Sequence, residues 1–409
     1  MLTALRRDAE IIARGAVDAM HPGTAVANAL ESMEFSGEIY LVAVGKTAWS
    51  MADAALKHLP RPIRSGIVLT KYGHVPGPLP GVMCLEAGHP VPDDNSYRGT
   101  QAILQMVRNL SSTDTVLFLL SGGGSALFEL PLCDPGKLAE VNSRLLASGA
   151  DIRQINTVRK RLSAVKGGRF ALACGEARIR ALILSDVLGD PIDIIASGPA
   201  APDSTTSAQA LAIAKEYGLH DPEILELLAR ETPKELPRVE SRIIGNVSQM
   251  CRAAEALARE QGYAPILLTD RMAGIASEEG RNLAQLLQKN RRDYRKIALI
   301  AGGETVVRVR GNGLGGRNQE LALSAAELLA EIPDACIISL GSDGTDGPTD
   351  AAGGYADSHT LRELAQAGVD YKFTLENNDS YHALEAVDAL IFTGPTLTNV
   401  NDITIGLLG

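Results

Sequence analysis

The chain has 409 residues, 45% of them hydrophobic and 22% charged, with a net charge of −10, which is enough for two globular domains with separate cores. The acidic balance argues against a nucleic-acid backbone as partner, because that needs an excess of Lys and Arg. Aromatics at 4% leave few stacking platforms for single strands, and no run reaches the ~20 apolar residues of a membrane span.

The first residues, MLTALRRDAEIIARGAVDAM, mix acids with bases and predict an amphipathic helix, not a signal. Short apolar strands then alternate with helical patterns, at 38–45, 65–70, 115–120 and 180–187. A charged segment with two prolines, 231–242, separates them from further strands at 264–270, 296–304, 305–311, 335–344, 388–394 and 402–408. This alternation predicts an α/β protein with mainly parallel sheets covered by helices. The adjoining strands over 296–311 predict a hairpin, and so a mixed second sheet. The proline segment predicts domains at 1–236 and 237–409. Five dispersed cysteines without a C-x-x-C fit a reducing cytoplasm.

In open α/β sheets ligands collect at the carboxyl ends of strands, and the polar motifs here follow strands almost without exception. In VAVGKTAWS (42–50), Lys46 follows a strand at the start of a helix. This is not a Walker A loop, because Tyr40 stands where that motif needs glycine. Lys46 is either a point charge for a phosphate or a solvated lysine placed where a cation opposes the helix dipole. His89 in GHPVPDDNS precedes a proline and reads as a turn residue.

TVLFLLSGGGSALFELP (115–131) sets Gly122, Gly123 and Gly124 after a buried strand. Glycine costs roughly 0.5–1 kcal/mol relative to alanine within a regular element, and a turn needs one or two. Either the bared amides receive phosphate at a helix start, or the segment is a tight turn without a ligand. A hydrolase elbow on Ser125 fails, since Leu127 takes the place of the closing glycine. Arg159, Lys160, Arg161, Lys166 and Arg169 form a basic stretch suited to an anionic ligand or to ordinary helix solvation.

Asp186 and Asp190 lie in SDVLGDPIDIIASGP (185–199), and Asp343, Asp346 and Asp350 in SLGSDGTDGPTDAAGG (339–354). Their spacing is not that of an EF-hand. Magnesium, which takes one or two carboxylates beside substrate phosphates, is one account, and Asp-Gly turn chemistry is the other; for Asp350 the turn is preferred. RVRGNGLGGRNQELAL (308–323) holds a literal G-x-G-x-x-G at 311, 313 and 316. The acid that should end the next strand in a dinucleotide site is missing, because Asp334 precedes that strand. Arg317 opens a helix there, to fork onto a carboxylate or phosphate or to pair with Glu320 at the surface. No H-x-x-x-H exists to support zinc.

As an ordered set these motifs, with INTVRKRLSAVKGGR, IAGGETVVRVRG and TGPTLTNVNDI, resemble the glycerate 2-kinase family, the type with a C-terminal MOFRL domain, over about residues 42–403. The one departure is Ser342, where a threonine is more usual. The resemblance implies ATP- and magnesium-dependent phosphorylation of D-glycerate to 2-phosphoglycerate. It further implies a Rossmann-like N-terminal domain, a second α/β domain and a site in the cleft between them. Carried over by position, the family's site residues are Lys46, Glu304, Arg317, Asp343 and Asn399. On this basis Gly122, Gly123, Gly124 and Ser125 hold nucleotide phosphates, and Lys46 and Arg317 neutralise the moving phosphoryl group. Asp343 orients or deprotonates the glycerate hydroxyl, Glu304 and Asn399 bind substrate, and Asp186, Asp190 and Asp346 are magnesium ligands. An NAD(P)H-dependent hydroxypyruvate reductase is the alternative. The expected protein is a cytoplasmic monomer or homodimer without nucleic-acid or membrane partners.

Overall fold

The computed structural model, which describes residues 3–291 and 296–409, holds two six-stranded sheets, each in its own unit. The unit Pro22–Ile244 carries β1 (Ile39–Val44), β2 (Ser65–Lys71), β3 (Val82–Ala87), β4 (Thr115–Leu120) and β5 (Arg178–Leu184), with β6 (Val239–Gly245) at its edge. The order is β3-β2-β1-β4-β5-β6, and β3, β2, β1, β4 and β5 run parallel. All six residues of β4 are buried, as expected for a strand covered on both faces, which explains its unbroken apolar run. Phe118 of β4 packs on Phe170 and Phe128 with ring centroids 4.8 and 6.1 Å away, a rigid apolar base next to the glycine turn. Strand order reverses between β1 and β4, the switch point at which such sheets bind ligands.

The second unit joins the chain up to His21 with Gly245–Gly409. It carries β7 (Ala264–Met272), β8 (Ile297–Gly303), β9 (Ala335–Gly341), β10 (Gly353–Asp357), β11 (Leu390–Ile391) and β12 (Asp402–Leu408), in the order β11-β10-β9-β12-β8-β7. Only β7 and β8 pair in parallel; β12 runs antiparallel between β8 and β9. The sheet is therefore mixed, but not through the expected hairpin. Residues 305–311 make one isolated bridge, Val306 to Ile275, and leave Val306 and Val309 exposed. Their Val-Arg alternation has the local period of a strand without a neighbouring strand to complete it.

The expected division at 236/237 also differs from the contacts. The strand β6 extends the first sheet past residue 237, and the helix Ala4–Asp18 packs in the second unit, where Asp8 accepts from the Tyr263 hydroxyl at 3.0 Å and Arg6 donates to the Asp388 carbonyl at 2.6 Å. Among the described residues no helix is long and apolar enough to cross a membrane.

Candidate active site

At the switch point of the first sheet the loops after β1 and β4 are bonded to each other. The Lys46 amide donates to the Gly122 carbonyl at 2.8 Å and the Thr47 amide to Ser121 Oγ at 3.2 Å. Gly45 has φ +124, and a Cβ there would collide with Ser121, so only glycine lets the two loops approach this closely. Gly123 has φ +88; a Cβ on it would sit 3.1 Å from the His89 ring and 3.2 Å from Lys46 Cγ. Lys46, His89 and the glycine turn thus share one place. Ser125 Oγ contacts Ser197 Oγ at 3.2 Å, and Ser197 donates to Asn156 Oδ1 at 3.1 Å, which fixes the far side of the turn. Ala196, Ser197 and Gly198 all have positive φ, at 49°, 61° and 65°. Two non-glycine residues in succession there is a costly conformation of the kind found at functional sites.

Sequence reasoning left His89 as a turn residue; the structure sets its ring against the site. Burial, followed by the nearby Lys46, Lys71 and His74, lowers its pKa from 6.5 to about 4, so His89 is neutral at neutral pH. A histidine held neutral in the folded state stabilises the fold above 6.5, and that contribution is lost as pH falls from 6.5 toward 4. The melting-temperature advantage of the wild type over His89→Gln is therefore expected to shrink between pH 7 and pH 4.5. An advantage that stays constant over that range would contradict the placement.

In the second unit, Glu304 follows β8, Asp343 follows β9, and Asp402 opens β12 opposite both Gly303 and Gly341. Antiparallel insertion of β12 thus puts three carboxylates at one end of the sheet's central strands. Arg317, the first residue of the helix Arg317–Leu329, reaches across this end. Its Nε and a terminal nitrogen donate to the two oxygens of Asp402 at 2.5 and 3.0 Å, and the other terminal nitrogen meets Glu304 Oε1 at 2.9 Å. Two of its five N–H donors are engaged in hydrogen bonds, Glu304 adds an ion pair, and three donors remain, on a side chain 34% exposed. Burial pushes the Asp402 carboxyl up to about 6, opposed by Arg317 and aided by Asp346 and Glu304. For Arg317 burial acts against the charge, but Asp402 and Glu304 outweigh it and hold the pKa above the ordinary value. The same pairing keeps the arginine charged and only partly offsets burial of the acid.

The surface pair with Glu320 does not form; Glu320 accepts from Asn378 Nδ2 at 3.1 Å. Asp402 is the residue that sequence reasoning missed, although it lies within the TLTNVNDI motif. Asn401 beside it donates to Glu304 Oε2 at 3.3 Å. Asn399 is half-buried in the same loop, whose Val400 amide donates to Ser342 Oγ at 2.8 Å. Asp343 accepts from the Thr345 amide and hydroxyl, both at 3.0 Å, an Asx turn that leaves its second oxygen outside these bonds.

Asp346 is 2% exposed, and its oxygens accept from the amides of Asn318 and Gln319 at 3.1 and 2.9 Å. It caps the helix that Arg317 opens, with Asn318 Nδ2 a third donor at 3.3 Å, which leaves one lone pair on Oδ2 outside these bonds. Asp186 and Asp190 lie in the other unit, in the loop after β5. Among the described residues no group of three His, Cys, Asp or Glu could hold a metal.

The first part of the G-x-G-x-x-G loop is used by its own unit. Asn378 Oδ1 takes the amides of Arg310 and Gly311 at 2.7 and 3.1 Å, Asn377 those of Asn312 and Gly313, and Asp379 that of Leu314 at 3.0 Å. A pyrophosphate would find the amides of Gly311 to Leu314 already taken. The basic stretch is mostly internal as well: Lys160 and Arg161 pair with buried Asp203, Lys166 with buried Glu129, and Arg169 donates to the carbonyls of Lys160 and Ser163. Arg159 alone is left over.

Residues 8–229 match a family described as a domain of unknown function (DUF4147), and residues 297–402 match the MOFRL family. The chain is 50% identical to a D-glycerate 2-kinase of Thermotoga maritima, across 99% of each protein. It is 40% identical to an Agrobacterium vitis protein provisionally named a hydroxypyruvate reductase, across 96% of this chain and 92% of that protein. A crystal structure of a Thermotoga maritima glycerate kinase matches with a TM-score of 0.96 at 49% identity, covering 98% of this chain and 99% of the other.

Proposed function

The chain belongs to the glycerate 2-kinase family with a C-terminal MOFRL domain, and we propose on that ground that it transfers the γ-phosphoryl group of ATP to the 2-hydroxyl of D-glycerate. Identity with a D-glycerate 2-kinase over the whole chain carries the reaction class. The placing of the nucleotide phosphates is supported by the convergence of Lys46, His89 and Gly123 at the reversal of strand order. Amides of the Gly122–Gly124 turn and the Ser125 hydroxyl would bind phosphate oxygens, and Lys46 would supply a compact positive charge.

Phosphoryl transfer asks a protein mainly for positioning and for charge stabilisation. Arg317, locked by Asp402 and paired with Glu304, has three donors left to grip oxygens of the acceptor or of the group in flight. Asp343 would orient or deprotonate the 2-hydroxyl, and Glu304 and Asn399 would bind glycerate. Magnesium, when bound with nucleotide, would neutralise phosphate charge; Asp186, Asp190 and Asp346 are the candidate carboxylates, Asp346 through the lone pair its helix cap leaves free. Five free cysteines support a reducing, cytoplasmic setting.

Hydroxypyruvate reduction needs a nicotinamide site, and the one glycine fingerprint in the chain lacks the acid that should end the next strand and spends the amides of Gly311 to Leu314 on its own unit. Purified protein with ATP and magnesium should release ADP only when D-glycerate is added. Oxidation of NADH by hydroxypyruvate without ADP release would overturn the kinase assignment.

A further inference from the structure

Arg159, the residue of the basic stretch 159–169 that the fold does not absorb, lines a cavity of about 310 Å³ in the first unit. Its walls come from the segment after His89 and from the helices Pro135–Ala147 and Ile152–Leu162, and include Pro92, Tyr97, Leu138, Asn142, Ile155 and Arg159. The volume falls within the ~300–1,000 Å³ of typical small-molecule sites. Two buried polar atoms on these walls have no hydrogen-bond partner: the donor Arg159 Nε and the acceptor Asn142 Oδ1. Native proteins seldom leave such groups unpaired, and a pair of them in one apolar cavity points to a ligand that answers both.

Two connections lead from the cavity wall to the glycine turn. Pro90 on its wall directly follows His89, whose ring lies against Gly123. On the helix Ile152–Leu162, Asn156 stands one turn before Arg159 and connects through Ser197 to Ser125. A single ligand with phosphates at the glycine turn would therefore bring its remainder here.

We propose that this cavity receives the base of the nucleotide, an amino-purine held flat between proline, tyrosine and aliphatic side chains. Adenine presents a ring-nitrogen acceptor beside an amino donor, the complement of Arg159 Nε–H and Asn142 Oδ1. Burial of Arg159, which holds its pKa below the ordinary value against the pull of Glu129, is consistent with a partner missing from this wall. The proposal rests on the kinase assignment above.

Ala139 lines the cavity from an exposed position of its helix, so Ala139→Phe should fill it without disturbing the core. Calorimetry should show ATP binding weakened about tenfold or more, binding of inorganic tripolyphosphate changed less than twofold, and KM for D-glycerate unaltered. Asn142→Ala, which removes the acceptor alone, should reduce the preference for ATP over GTP and gives an independent test should the first variant not fold. If the variants bind ATP as the wild type does, or lose D-glycerate affinity and not ATP affinity, the cavity is not the base site while the kinase assignment stands. A wild type that binds neither ATP nor tripolyphosphate overturns both.

Discussion

Arg317→Lys should lower kcat by about 10²-fold or more while the protein still folds, a loss of about 3 kcal/mol by analogy with removing one preorganised donor. The guanidinium bonds both oxygens of Asp402 with two of its N–H groups and pairs with Glu304 by charge. Only a planar fork can hold those and still offer donors to a ligand. Lysine keeps the charge but concentrates three donors at one point, so it can satisfy Asp402 or reach a substrate oxygen, not both. If the remaining donors act on the group in flight, kcat falls more than KM rises. If Arg317 only ties Glu304 to Asp402, the cost appears in the melting temperature and kcat stays within tenfold. A folded variant whose kcat drops less than tenfold, about 1.4 kcal/mol, would remove Arg317 from catalysis.

Lys46→Met is expected to cost 10²- to 10³-fold in kcat, about 3–4 kcal/mol, with little change in stability. Among the described residues the Lys46 ammonium makes no salt bridge, so its loss orphans no carboxylate. Methionine preserves the aliphatic stem that lies beside Gly123, and removes only the charge. A second readout separates this from local unfolding: Lys46 is one cause of the depressed His89 pKa, so the His89 resonance should titrate at higher pH in the folded variant. Wild-type kcat in that variant would place the phosphate site elsewhere.

In each unit the candidate residues grow from strand ends, and the chain announced them unequally. Strands β1, β4, β8, β9 and β12 are buried nearly throughout, which makes them continuous apolar runs in sequence. Strands β3 and β6 alternate between part-buried and exposed positions at their sheet's edges, and β10 opens on two glycines. None of these has a run to notice. The glycine turn was legible because its backbone needs show in residue type. Asp402 was not, since its role depends on β12 pairing with β8, a register between segments a hundred residues apart. The basic stretch 159–169 failed differently: a lysine in an internal ion pair and one in solvent look alike in sequence, and the structure buries Lys160, Arg161 and Lys166.

Phosphorus NMR of the product tests the central claim most directly. With D-glycerate, ATP and magnesium, the account predicts a new 2-phosphoglycerate resonance growing in step with ADP and no 3-phosphoglycerate. A 3-phosphoglycerate signal, or ATP left intact while hydroxypyruvate oxidises NADH, would contradict it.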